Sequence, residues 1–151
     1  MMHQIMKPES RERGASVIEF AVVLPLLLII LFGIVEFGIM FYDKAMLTNA
    51  AREGARYGIV LLGEDVSGNP IRHEDTDIIG VVTAYCGTHL VSLGVGATPT
   101  VTVTVNRAGP ASLQDLTVHV QYPYSFLLLP NFLTFLSPTL TLHAEVVMKN
   151  E

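Results

Sequence analysis

Apolar positions fall along this chain in three different patterns, and each predicts a different element. Residues 20–35 carry no charge, Glu36 interrupts once, and residues 37–42 are apolar again. A helix that is apolar on every side is either deeply buried or surrounded by lipid. About 20 residues at 1.5 Å each suffice to cross a bilayer, so residues 20–42 are read as a membrane span. Pro25 removes one backbone bond and bends the rod, an irregularity that membrane helices absorb.

Beyond Tyr42 the pattern becomes amphipathic without any break signal. The run DKAMLTNAAREGARYG contains no proline, and Ala50, Gly54 and Gly58 recur every four residues. Small residues at that spacing form a flat stripe that lets another backbone come close. Packing on the chain's own sheet is the first reading of the stripe, and a subunit contact is the second. Glu53 and Arg56 are spaced to pair elsewhere on the helix. One helix is predicted over residues 15–57, about 65 Å long, with Gly58 suited to end it.

The third pattern is strict alternation. Residues 100–105 place Val101, Val103 and Val105 on one face. Residues 115–122 do the same with Leu116, Val118, Val120 and Tyr122, and residues 139–148 with Leu140, Leu142, Ala144, Val146 and Met148. Alternation implies one buried and one wet face, as in an antiparallel sheet covered on one side. The amphipathic half of the long helix is the expected cover, beside a second helix over residues 77–93. That helix has Asp75 or Thr76 as N-cap, and Ile78, Val81, Val82, Tyr85 and His89 at helical spacing. Residues 61–77 read as a solvated acidic loop, whose carboxylates do not match a calcium-loop spacing. The uncharged, apolar stretch 126–136 is interrupted by Pro130, and folding under the sheet is favoured over contact with membrane or a partner.

The predicted fold class is therefore α+β. A long N-terminal membrane-spanning helix continues into an exported domain with a second helix and an antiparallel sheet of three or more strands. The segments are a leader over 1–14, the long helix over 15–58 and the α+β domain over 59–151.

Charge and composition narrow the function. The formal net charge of −5, without a basic run, argues against nucleic-acid binding. The single cysteine, Cys86, excludes an internal disulfide and reads as a buried structural thiol. His119 and His143 project from neighbouring strands, but two histidines without a third ligand are weak grounds for zinc. Cys86 and His89 read as a packing coincidence, not as nucleophile and base. No nucleophile elbow, phosphate loop or His-Glu-x-x-His motif is present in the sequence. No enzyme activity, catalytic residue, cofactor, metal or small-molecule substrate is predicted.

The N-terminal leader carries Lys7, Arg11 and Arg13 against Glu9 and Glu12, a modest positive bias that directs the N-terminus to the cytoplasm. The apolar run is longer than a secretory signal core and lacks an A-x-A site. Glu19, five residues past Gly14 at the mouth of the span, is costly in lipid: a carboxylate at a membrane-helix centre costs about 2.5–3.5 kcal/mol on insertion scales.

The string RERGASVIEFAVVLPLLLIILFGIVEFG, followed by NAAREGARYG, resembles the TadE-like pseudopilins of the tight-adherence (Tad, Flp-type) pilus system. The features that carry the likeness are the leader ending in glycine, the Glu19–Phe20 pair, Leu24–Pro25, the second acid Glu36 and the Asn-Ala-Ala-Arg-Glu-Gly-Ala-Arg block. The resemblance implies cleavage between Gly14 and Ala15 by a prepilin peptidase on the cytoplasmic side. It implies that Glu19 meets the new N-terminal amine of a neighbouring subunit. It further implies a minor pseudopilin of the bacterial inner membrane, single-pass with its C-terminal domain outside the cytoplasm. Its partners would be membrane lipid, the peptidase and other pilus assembly proteins. The alternative is an uncleaved single-pass anchored binding domain with no filament role. A membrane-tethered hydrolase using His119 and His143 is a further rival.

Overall fold

In a computed structural model, the chain is described over residues 9–91, 99–109, 115–126 and 140–149. A single helix, α1, runs from Glu9 to Gly58. It starts earlier than the sequence suggested, because nothing after Pro8 breaks the helix and Gly14 is accommodated inside it. Pro25 also lies within the helix. At 50 residues, α1 is about 75 Å long. It ends where Gly58 was expected to stop it.

The residues that follow are not only a loop. Leu61–Glu64 (β1) and Pro70–Arg72 (β2) pair antiparallel as a short hairpin. Asp65 organises the turn, accepting hydrogen bonds from the backbone N–H groups of Ser67 and Asn69, each at 2.8 Å, and from the Asn69 side chain at 3.0 Å. Gly68, at φ +79°, supplies the left-handed residue that closes it. The Asn69 and Ser67 donors hold the Asp65 carboxyl below the usual range.

The second helix, α2, spans Asp75–His89, so it starts and ends before the expected residues. Its N-cap is Glu74, not Asp75 or Thr76, and no side chain caps it. Acidic Asp75 and Asp77 in the first turn favour the helix through its dipole. The buried stripe is Ile78, Val82 and Cys86, whereas His89 is exposed and stacks on Tyr85.

Strands β3 (Thr102–Ala108), β4 (Asp115–Tyr124) and β5 (Leu140–Met148) form one antiparallel sheet with β4 in the centre. On β4 the inward residues Leu116, Val118, Val120, Tyr122 and Tyr124 are all buried. The strand continues through Pro123 because β3 stops pairing at Thr102↔Gln121, leaving β4 a neighbour on one side only. A missing N–H is tolerated at such a position. Helix α1 covers β4 and β5, and α2 lies against α1 and β3. Arg107 of β3 donates to Asp75 at 2.9 Å and to the His73 carbonyl at 2.8 Å, tying the sheet to the start of α2. The fold is thus α+β, with a long apolar N-terminal helix, a second helix and a three-stranded antiparallel sheet. The stretch 126–136 lies outside the described residues except for Phe126, which packs edge-on against Tyr124.

Candidate functional site: the two faces of the long helix

Along α1 two surfaces change places at Glu36. Up to Val35 the outward residues are large and apolar, including Val17, Phe20, Val22, Leu26, Ile30 and Ile34, and all are exposed. The most apolar 18-residue window reaches a mean hydropathy of 2.9, and none of it is buried. From Glu36 onward one face is covered. Glu36, Asp43, Leu47, Ala50, Ala51 and Ala55 are buried, with Ile39, Met40 and Met46 partly so. These positions follow helical spacing, so the domain grips one stripe of the helix from Glu36 to Gly58.

Two carboxylates sit in that stripe. The Tyr124 hydroxyl donates to Glu36 Oε1 at 2.7 Å, and Glu36 is only 1% exposed. Burial, and then this hydrogen bond, push the Tyr124 phenol well above its ordinary range. Asp43 is fully buried and accepts the backbone N–H of Val91 at 3.0 Å through Oδ1. Its Oδ2 has no hydrogen-bond partner among the described residues. Burial raises the Asp43 carboxyl, and the Val91 N–H partly opposes that. The same carboxylate adds to the burial that raises Tyr122.

The small-residue stripe meets α2 and the sheet. Ala50 is fully buried. A Cβ added at Gly54 would collide with Val82 Cγ2, and one at Gly58 would press on Ile78 and Leu116. The glycines therefore set how closely α2 and β4 approach α1. Glu53 and Arg56 pair on the exposed side at 2.9 Å.

At the other end, Gly14 is exposed with open space where a side chain would be, and Ala15 follows it in the helix. Glu19 is exposed among apolar neighbours. It lies 17 residues from Glu36, about 25 Å along the helix, so the two acids belong to different environments.

The other reactive side chains have structural surroundings. Cys86 is buried and its thiol is pushed up to about 11 by burial. The His89 ring contacts Tyr85 and Thr88. The His119 and His143 rings stack 5.7 Å apart. Among the described residues no group of three or more His, Cys, Asp or Glu could hold a metal ion.

Sequence reasoning missed Asp43 and Tyr124. Glu36, Asp43 and Ala50 lie seven residues apart in succession, a spacing that puts all three on one helix face, but the apolar background around them hides that period.

The chain is thus an α+β domain built on one helix long and apolar enough to cross a membrane. The family model described as TadE-like protein matches residues 14–56, which make up most of that helix. No curated protein and no solved structure matches the chain.

Proposed function

We propose that this protein is a minor pseudopilin of a Tad-type pilus system, held in the inner membrane by α1 and acting in pilus assembly. The observation that carries this reading is the TadE-like match over 14–56, which begins at the glycine where the leader would end. The prepilin peptidase cuts between Gly14 and Ala15 on the cytoplasmic side. Glycine weakens a helix by about 1 kcal/mol relative to alanine, and open space lies where a side chain of this one would be, which favours local unwinding at the bond to be cut. Glu19 becomes the fifth residue of the mature chain. Its carboxylate pairs with the terminal ammonium of a neighbouring subunit, each offsetting the other's cost in lipid and fixing one stagger between subunits. The domain after Gly58 faces away from the cytoplasm, and its partners are other pilus assembly proteins.

The test is Glu19→Ala at the chromosomal locus. The variant should insert and accumulate in the membrane at the normal level while pili disappear or fall sharply in number. Normal piliation would remove the pairing role from Glu19.

A further inference from the structure

The outward surface of α1 stays free of formal charge for longer than a bilayer core requires. Between residues 20 and 42 the only acidic or basic side chain is Glu36, and Tyr124 hides it beneath the sheet. Residues 20–39 alone supply about 30 Å of helix, the thickness of the hydrocarbon core. The apolar surface nevertheless continues on the side that the sheet leaves open. Phe37 is 56% exposed, Phe41 67% and Tyr42 44%. Phe41 and Tyr42 lie about 3 to 5 Å beyond residue 39, at the start of the headgroup layer, and Phe37 lies about 3 Å short of it. Lys44 follows, exposed, about 3 Å higher than Tyr42. At the same height an open groove of about 310 Å³ runs between Met40, Phe41 and Lys44 on α1 and Leu140 and Leu142 at the start of β5.

We propose that the exported domain stands directly on the outer surface of the bilayer, with Phe41, Tyr42 and Leu140 as a one-sided rim seated among phospholipid headgroups and Phe37 just beneath them. The occupant is lipid because the rim continues the exposed apolar surface of the span without a polar break. The amphipathic ring of Tyr42 is of the kind that settles at this depth, and Lys44 can extend its ammonium toward phosphate oxygens. The other side of the helix at this height is already taken by the sheet. The Tyr124–Glu36 hydrogen bond then keeps a carboxylate out of contact with lipid where the domain meets the membrane. This inference rests on the membrane-span reading of α1 given above.

The chain has no tryptophan, so single substitutions report one site each. Phe41→Trp, Leu26→Trp and Val66→Trp are made in the full chain and reconstituted in phosphatidylcholine–phosphatidylglycerol vesicles. The vesicles contain lipids brominated either near the carbonyls or deep in the chains. Leu26→Trp, in mid-span, should be quenched best by deep bromines, and Val66→Trp, at the hairpin tip, by neither. Phe41→Trp should lose about half its emission to shallow bromines and less to deep ones. Phe37→Trp, just inside the core edge, should be quenched by both sets of bromines. Quenching of Leu26→Trp with none at Phe41 or Phe37 overturns the rim while leaving the span intact. No lipid quenching at Leu26 removes the span and the rim together. Loss of Phe41 quenching on raising the protein-to-lipid ratio would assign the surface to a second copy and also overturn the proposal.

Discussion

Tyr124, at the end of β4, donates a 2.7 Å hydrogen bond to Glu36, which precedes it by 88 residues. The contact fixes where the domain begins to hold the helix, because Glu36 is the first position of α1 that is buried among the described residues. Both side chains are buried, so neither can turn to water if the other is removed. Tyr124→Phe should lower stability by about 0.5–1.5 kcal/mol, the usual net contribution of one hydrogen bond. Glu36→Gln keeps an acceptor and should lose less. Urea titration in detergent micelles checks both. Equal losses for the two variants would mean that packing, not the hydrogen bond, sets the cost.

The second buried acid gives a pH-dependent prediction. Asp43 titrates above its ordinary range in the folded chain because burial penalises its charge. A carboxyl whose folded pKa is raised binds its proton more tightly when folded. Its contribution therefore favours folding as pH falls through the raised value toward 3.8, and opposes folding once it is ionised. Asp43→Asn removes the charge and can still accept the Val91 N–H. The variant should be more stable than the parent at pH 7, and its advantage should shrink on acidification. Urea midpoints at both ends of that range read it directly; an advantage that grows on acidification would contradict the assignment.

Gly54 and Gly80 make opposite predictions for one substitution. Alanine at Gly54 meets the branched Val82 side chain, which has little freedom to move away. Overpacking of about 1–3 kcal/mol should outweigh the gain in helix propensity of about 1 kcal/mol, so Gly54→Ala is expected to destabilise. Its cost should fall in a Val82→Ala background. At Gly80, exposed on α2, nothing lies near the added methyl, and Gly80→Ala should stabilise by about 0.5–1 kcal/mol. Thermal unfolding of the four variants in one detergent completes the comparison.

Cys86 serves as an internal reporter of the core. It is buried, and its thiol titrates near 11, so little thiolate is present at neutral pH. Iodoacetamide at pH 7.5 (about one unit below an ordinary thiol) should label the folded chain at a small fraction of the rate seen in urea. Rapid labelling of the folded protein would place Cys86 outside the core described above.

The large elements of this fold were legible because their periods are long and unmixed. The alternating valines of β3 and β4 and the uninterrupted apolar run of α1 leave few other readings. The β1–β2 hairpin was not legible, since strands of four and three residues are too short to display a period. The far end of β4 was obscured by Pro123, a residue that ordinarily argues against a strand and is tolerated here only because β3 has ended. That same residue hid the Tyr124–Glu36 contact. The beginning of α2 shifted because Glu74 takes the capping position with its backbone alone. Glu36 and Asp43 were visible as charges but not as a buried pair. A contact spanning 88 residues leaves no local trace in the sequence.

The central claim is that the chain is cut after Gly14 and works as a pilus subunit. The most direct measurement is the intact mass of the membrane-extracted protein from cells with the prepilin peptidase and from cells lacking it. A mature chain beginning at Ala15, seen only when the peptidase is present, is the expected result. A full-length chain in both cells would contradict the account and leave a membrane-anchored domain with no place in a filament.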